Sequence, residues 1–278
     1  MSILSVLSMC LTPFKTGATT SEPPGRSTFF GNPATEKPYL FSAIVLGPVA
    51  VYRKRDFSDK ETRDMGKLQA GIIPVTPFEQ NCTILFDQDT KEGVVVDPGG
   101  DVDVILQVVA ENGITLKEIW LTHGHLDHAG GAEELRAKLS LPVIGPHEDD
   151  RPLLDRIEVQ AEKYGIAGLQ NVVPDKWLKD GDRVSFGDHV FEVYHCPGHA
   201  PGHVIYYNRD QQFAHVGDVL FAGSVGRTDL PGGNHEQLMA SIRDKLLPLG
   251  DDVGFICGHG PGGRLGDERR NNPYLQGI

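Results

Sequence analysis

Residues 123 to 128 read His-Gly-His-Leu-Asp-His and gather three imidazoles and one carboxylate within six positions. Imidazole nitrogen and carboxylate oxygen suit zinc, iron or manganese, and a ligand set without thiolates argues against a purely structural, Cys-rich zinc site. Ionisable groups packed this densely are costly to bury unless a cation or hydrogen-bond partners satisfy them. The hexapeptide therefore predicts a catalytic metal site.

Three single residues in glycine-containing turns could complete this site. They are His199 in Cys-Pro-Gly-His, Asp218 in His-Val-Gly-Asp and His259 in Cys-Gly-His-Gly-Pro. Glycine and proline allow tight turns that bring the backbone close to a compact site, and each residue follows a predicted strand. Taken singly these are weak signals, but together with the hexapeptide they predict one metal centre. The other histidines are interpreted as surface or core residues: His147, His189, His195, His203, His215 and His235.

The elements that must position these residues alternate between short β-rich runs and amphipathic stretches. A predicted strand at residues 118–122 leads into the hexapeptide and a predicted helix at 132–139 follows it, so we expect the motif on a strand-to-helix loop. Further strands are predicted at residues 71–76, 82–86, 93–96, 183–186, 190–195, 204–207, 212–216 and 254–257, and further helices at 102–111 and 235–247. This pattern indicates an α/β layout.

Residues 1–66 differ from the rest because Pro23-Pro24-Gly25 and scattered polar residues interrupt any periodicity. The preferred interpretation is a poorly ordered or non-native N-terminal extension. Two others stay open: an organelle-targeting segment, or translated upstream sequence with Met65 as the true start. Residues 67–278 are expected to form the catalytic domain.

Composition excludes several classes of protein. The net charge is −12 and the acidic excess lies beyond residue 64, which disfavours nucleic-acid binding. No run approaches the roughly 18 apolar residues that span a bilayer, so no membrane partner is expected. Four scattered cysteines without a CxxC pair indicate no disulfides and a reducing, cytoplasmic location, with an organelle as the alternative. The oligomeric state is not predicted.

The segments THGHLDH, PGHAPGH, GD and GHGP, in this order, resemble the metallo-β-lactamase superfamily and its glyoxalase II-like branch. The resemblance extends from about Leu68 to the C-terminus. HCPGHAPGH and ERRNNPYL are most similar to the short bacterial, hydroxyacylglutathione hydrolase-like members. The resemblance implies an α/β fold, the four-layer αββα sandwich, with metals at one edge of the two sheets.

The resemblance also implies how the donors are shared between two divalent metal ions, for which zinc is expected and iron or manganese are alternatives. One ion would be held by His123, His125 and His199, the other by Asp127, His128 and His259, with Asp218 bridging them. An aspartate at the bridging position, where the lactamase branch commonly has cysteine, favours two occupied sites.

The chemistry implied is hydrolysis of a small-molecule thioester of the S-lactoylglutathione type by metal-bound hydroxide, because two cations lower the pKa of a shared water towards neutrality. Asp127 is expected to orient the nucleophile as well as bind metal. Asp97 either holds a ligand imidazole or forms a turn before Pro98. Arg227 either binds a substrate carboxylate or is a surface arginine paired with Asp229.

Other functions compete with this one. Only 19 residues follow His259, so we expect broad thioesterase activity as readily as strict glutathione specificity. Gly226-Arg227-Thr228-Asp229 resembles a loop of mononuclear-iron persulfide dioxygenases on the same fold, whereas Gly258-His259-Gly260-Pro261 matches the hydrolases. Nuclease chemistry is disfavoured by the acidic body. A metal-free binding module is the least supported, because all seven ligand positions are filled.

Overall fold

The computed structural model describes residues 45–48 and 67–278. The strands are β1 Val45–Pro48, β2 Leu68–Val75, β3 Gln80–Asp87, β4 Glu92–Val96, β5 Thr115–Trp120, β6 Val143–Ile144, β7 Arg183–Phe186, β8 His189–His195, β9 Val204–Asn208, β10 Phe213–His215, β11 Leu220–Phe221, β12 Ser224–Val225, β13 Gly254–Ile256 and β14 Gly263–Arg264. The helices are α1 Val102–Glu111, α2 Leu126–Ala129, α3 Ala132–Leu139, α4 Arg151–Leu154, α5 Ile157–Tyr164, α6 His235–Ser241 and α7 Leu265–Asn271.

The strands form two six-stranded sheets and a short hairpin. The first sheet has the order β1-β2-β3-β4-β5-β6, the second has the order β14-β13-β10-β9-β8-β7, and β11 pairs with β12. The pairs β4-β5, β5-β6 and β10-β13 are parallel, and the remaining neighbours are antiparallel. Both sheets are therefore mixed.

Three hydrophobic clusters separate four layers of secondary structure. One cluster packs helix residues such as Ile105 and Leu135 against the first sheet. A second lies between the two sheets and contains Trp120 and Tyr206, whose ring centroids are 5.1 Å apart. The third packs α6, through Leu238, and neighbouring segments against the second sheet. This layering confirms the αββα sandwich.

Burial follows from this layering. Every residue of β3, a central strand of the first sheet, is buried, as expected for a strand covered on both faces. The outer strand β7 alternates exposed and buried residues. Helix α1 buries Val102, Ile105 and Val108 on one stripe. Each such side chain, fully buried, contributes roughly 1.5–3 kcal/mol to stability.

Two predicted helices, α1 and α3, have the predicted bounds. The helix predicted at 235–247 begins as α6, capped by the Asn234 side chain, and continues as a π-helical segment, Ile242–Leu246. The strand predicted at 118–122 lies at Thr115–Trp120, because residues 121–125 leave the sheet as a loop. Helix α2 begins inside the hexapeptide, so Asp127 and His128 lie on a helical turn.

Several elements were not predicted. Helices α5 and α7 bury few apolar side chains, Ile157 and Ala161 in α5 and Leu265 in α7, so the buried face of each helix is weakly marked in the sequence. Strand β1 lies within the segment for which no element was predicted, and it pairs with β2 in antiparallel register. The domain boundary near residue 66 stays a prediction, and residues 1–44 and 49–66 lie outside the described part. Among the helices of the described residues, none is long and apolar enough to cross a membrane.

Candidate metal centre

Segments at the ends of five strands meet at one edge of the two sheets. Since β4 and β5 run parallel, residue 97 and the hexapeptide leave the first sheet at the same edge. In the second sheet β10 and β13 are parallel, and β9 is antiparallel to β10, so the segments after β10 and β13 lie beside the segment before β9. A hydrogen bond of 2.8 Å from Val204 N to Thr122 O joins the two sheets there.

His123, His125 and His199, which we call the HHH triad, present their ring nitrogens to one another. The distance from His125 Nδ1 to His123 Nε2 is 3.0 Å, and the distance to His199 Nε2 is also 3.0 Å. All three side chains are buried. Three imidazole nitrogens converging in this way are the arrangement that a divalent transition metal takes from histidine.

Asp127, His128 and His259, which we call the DHH triad, offer donor atoms within 4.8 Å of one another. His259 Nε2 lies 3.3 Å from Asp127 Oδ2. His128 is fully buried, whereas His259 and Asp127 are partly exposed and form the more open side of the centre.

Asp218 lies between the two triads. Its Oδ2 is 3.4 Å from His199 Nε2 and 3.6 Å from His259 Nε2, and its Oδ1 is 3.5 Å from His128 Nε2. One carboxylate thus contacts ring nitrogens from both triads. The structure therefore brings together all seven residues singled out in the sequence.

Hydrogen bonds on the outer ring nitrogens fix the orientation of four imidazoles. His123 Nδ1 donates to Thr122 Oγ1, and His128 Nδ1 donates to Asp97 Oδ2. His199 Nδ1 donates to Arg227 O, and His259 Nδ1 donates to Phe78 O. Donation at Nδ1 leaves the Nε2 lone pair directed into the centre, which is the tautomer a metal ligand requires.

These residues fit a pair of cations. Within the described residues, the buried atoms His128 Nε2 and Asp218 Oδ1 have no hydrogen-bond partner, although both face the centre. Buried polar atoms of this kind are costly unless something satisfies them. In addition, the facing Nε2 atoms of His123 and His199 are acceptors, so a cation between them and His125 would remove their mutual repulsion.

The electrostatics of the centre favour metal-ready protonation states in the HHH triad. Burial lowers the pKa of His125 to about 3 and, reinforced by neighbouring imidazoles, holds the pKa of His123 well below its usual value. Burial would also lower the pKa of His128, but the carboxylates of Asp218 and Asp127 outweigh it and raise that pKa well above its usual value. A metal bound at the DHH triad would therefore displace a proton from His128.

Asp97 touches the site in the way expected of a residue that holds a ligand imidazole. It is fully buried and accepts hydrogen bonds from Thr122 N, Thr122 Oγ1 and His128 Nδ1 at 2.7, 2.6 and 2.9 Å. The turn interpretation describes its backbone, because Gly99 N donates to Asp97 O at 2.9 Å. Asp97 lies behind the His128 ring, so it faces away from the atoms that would bind metal.

Replacing Asp97 with asparagine is expected to lower metal affinity by about 10–100-fold, because an amide nitrogen cannot accept the bonds that orient His128 and Thr122. Competition with a chromophoric chelator measures this change. The matched control is Asp101→Asn, since Asp101 accepts from the backbone of Thr76 on the exposed surface and touches no ligand. Equal affinities for both variants would contradict the prediction.

Arg227 contributes its backbone, through the carbonyl that accepts from His199, more directly than its side chain. The guanidinium pairs with Asp229 at 2.7 Å, and the two side chains are 62% and 69% exposed. Close to the metal centre, Phe78 and Tyr164 form an edge-to-face aromatic pair with centroids 5.6 Å apart. A cationic side chain and two aromatic rings are therefore available near the open side of the centre.

Sequence reasoning missed two residues that support the ligands. His203 is a buried residue, one of the two alternatives expected from the sequence, but its Nε2 also accepts from Asp218 N at 3.0 Å and its ring stacks on His123. Its position in the segment PGHAPGH was the available signal. Asp150 had none: it is a buried carboxylate whose oxygens accept from Gly124 N and Gly202 N, inside two ligand segments.

The cysteines of the described part are not ligands. Cys82, Cys196 and Cys257 are buried, and none of these three forms a disulfide. Burial raises the pKa of the Cys196 and Cys257 thiols to about 12. Both are therefore uncharged at neutral pH and are poor nucleophiles. Cys10 lies outside the described residues.

Comparison with known proteins agrees with this geometry. Residues 75–259 match the metallo-beta-lactamase superfamily. The hydroxyacylglutathione hydrolase GloC of Haemophilus influenzae is 42% identical over 205 residues, which cover 73% of this chain and 96% of that protein.

Solved structures are similar over the same region. The BLEG-1 B3 metallo-beta-lactamase has a TM-score of 0.69 at 37% identity, covering 75% of this chain and 100% of that one. TTHA1623 in a di-iron-bound form has a TM-score of 0.67 at 37% identity, with coverages of 73% and 99%. ETHE1 from Myxococcus xanthus has a TM-score of 0.60 at 28% identity, with coverages of 77% and 85%.

Proposed function

The chain belongs to the metallo-beta-lactamase superfamily, and from this premise we propose that it is a metal-dependent thioester hydrolase of the hydroxyacylglutathione hydrolase type. Its substrates are S-lactoylglutathione-like thioesters. The observation that carries the proposal is the position of Asp218, which contacts ring nitrogens of both the HHH triad and the DHH triad. A carboxylate so placed suits a bridged pair of ions.

The HHH triad would hold one divalent ion, the DHH triad the other, and Asp218 would bind both. Such a pair supplies a Lewis acid for the thioester carbonyl and lowers the pKa of a water so that hydrolysis proceeds at neutral pH. Zinc is the proposed metal. The di-iron-bound form of TTHA1623, at 37% identity, supports two metal positions and makes iron the main alternative.

Asp127 has the position of a residue that orients the attacking water. Its Oδ2 lies on the partly exposed side of the centre, 3.3 Å from His259 Nε2, and can accept a proton of that water. His123, His128 and Asp218 are buried around it. Because the buried thiols of Cys196 and Cys257 are uncharged, the described residues favour direct attack by water over a covalent cysteine intermediate.

A single-iron persulfide dioxygenase is the second candidate. The loop 226–229 resembles that branch, and the structural likeness to ETHE1 at 28% identity leaves this alternative in place. The HHH triad and Asp218 would suffice for one ion. The DHH triad would then be unused, which disfavours this candidate because its three donors also converge.

The test is metal analysis and turnover measured on one preparation of the full chain. We expect about two metal ions per chain and hydrolysis of S-lactoylglutathione. One iron per chain with oxygen consumption on glutathione persulfide would replace the proposal with the dioxygenase. Hydrolysis of a β-lactam in preference to the thioester would place the activity with the lactamases.

Replacing Arg227 with alanine is expected to raise KM for S-lactoylglutathione by about tenfold with little change in kcat, because a guanidinium that binds a substrate carboxylate acts before chemistry. Steady-state kinetics measure both constants. Arg243→Ala is the matched control, since Arg243 is also exposed and pairs with a nearby aspartate, Asp244. The assignment of Arg227 fails if both variants keep the KM of the unaltered chain.

A further inference from the structure

Asp150 ends a short 3-10 turn, Glu148–Asp150, and its side chain is fully buried. Its Oδ2 accepts a hydrogen bond of 2.7 Å from Gly124 N, and its Oδ1 accepts one from Gly202 N. Across residues 67–278, no lysine, arginine or histidine forms an ion pair with this carboxylate. A buried carboxylate without a cation opposes folding, so these two amides are its stabilising partners.

Both amides belong to segments that carry ligands of the HHH triad. Gly124 lies between His123 and His125, and Gly202 follows His199 by three residues. The first segment leaves the first sheet after β5, and the second enters the second sheet before β9. One carboxylate therefore ties together ligand segments from different sheets.

The packing around these amides leaves little room for a side chain at Gly124 or Gly202. A Cβ atom on Gly202 would collide with His147 O and with the backbone nitrogen of Asp150, and a Cβ atom on Gly124 would lie 2.9 Å from Leu153 Cβ. His147 N also donates to Gly202 O at 3.0 Å. Glycine at these positions lets both segments approach the Asp150 turn closely.

The DHH triad is supported by other groups. Its His128 is held by Asp97, and its His259 by Phe78 O. In the described structure neither hydrogen bond of the Asp150 side chain goes to residues 127, 128 or 259. A change at Asp150 should thus act on one half of the metal centre.

We propose that Asp150 is a positioning residue that sets the spacing of the HHH triad and thereby the metal affinity of that half of the centre. The inference rests on the proposed two-metal function. It follows from geometry, because the two amide hydrogen bonds fix the His125 segment relative to the His199 segment. These two hydrogen bonds set the distance between His125 Nδ1 and His199 Nε2, which is 3.0 Å.

The test compares Asp150→Ala and Asp150→Asn with the control Asp87→Asn. Asp87 is also a buried carboxylate that accepts from two backbone amides, Asp89 N and Thr90 N, and it also contacts His189 Nε2, but it is the last residue of β3 and touches no ligand. Metal affinities are measured by chelator competition on the full-length protein. NMR spectra of the cobalt-substituted protein distinguish metal binding at the HHH triad from metal binding at the DHH triad, because the ring N–H signals of each triad are shifted by the cobalt ion bound there.

We expect Asp150→Ala to weaken binding at the HHH triad by about 10–100-fold and binding at the DHH triad by less than about threefold. Asp150→Asn keeps one acceptor oxygen, so its effect should be smaller and in the same direction, and it serves if the alanine variant does not fold. Asp87→Asn should leave both affinities unchanged while lowering thermal stability.

The inference is overturned if neither Asp150 variant changes the HHH affinity, or if both affinities fall together in proportion to lost thermal stability. Its failure is distinguishable from that of the proposed function. In the same series the unaltered chain is titrated with metal and also assayed for thioester hydrolysis. An absence of hydrolysis in that assay would reject the proposed function. The metal affinities of the Asp150 variants and of the unaltered chain at the HHH triad could still be compared, so the role of Asp150 would still be tested.

Discussion

Replacing His125 with alanine is expected to lower kcat/KM for S-lactoylglutathione by at least about a thousandfold. His125 is the central member of the HHH triad, since its Nδ1 lies 3.0 Å from both His123 Nε2 and His199 Nε2. Its removal leaves two histidines and Asp218, which cannot hold the same ion in the same geometry. Metal content should fall with the rate.

The control for this variant is His235→Ala. His235 is exposed at the first residue of α6, and it lies outside the seven proposed ligands. It should retain full activity and metal. If His125→Ala hydrolysed the thioester as fast as the control, the assignment of the active site would be wrong.

Replacing His259 with alanine is expected to lower kcat/KM by about 10²–10³-fold and to reduce the metal content from about two ions per chain towards one. His259 belongs to the DHH triad, where its Nε2 lies 3.3 Å from Asp127 and 3.6 Å from Asp218. Atomic absorption and steady-state kinetics on the same sample give both quantities.

This variant separates the two candidate functions. A mononuclear enzyme would keep one ion on the HHH triad and Asp218, and so would retain its metal and most of its activity in His259→Ala. A dinuclear hydrolase would lose about one of its two ions and most of its activity. Retained S-lactoylglutathione hydrolysis with unchanged metal content would therefore contradict the bridged-pair assignment, and His235→Ala is again the control.

The short helices and the N-terminal strand show where sequence patterns stop. Helix α1 buries four apolar residues on one stripe, a period that sequence alone indicates, whereas α5 buries only Ile157 and Ala161. Strand β1 depends on backbone pairing with β2, which no side-chain pattern encodes. Helix α2 begins within the hexapeptide, after the extended residue His125, and it carries Asp127 and His128.

Residue types and their spacing along the chain were enough to identify the proposed metal donors. Residue type and spacing identified the hexapeptide, and the order of His199, Asp218 and His259 completed the set of seven, because a metal site needs particular side-chain atoms. The alternation of strands and helices indicated an α/β fold, and resemblance added the four layers. These features are chemical or periodic and can be read along one chain.

The orientation of those proposed donors depends on tertiary contacts. The ring of His199 is fixed by Arg227 O and the ring of His259 by Phe78 O, and every residue has a carbonyl, so no sequence pattern marks these partners. Asp150 joins two ligand segments that are about 75 residues apart in the chain, through backbone amides alone. The physical reason is the same throughout: ligand identity is a property of side chains, whereas ligand geometry depends on backbone groups that only folding brings together.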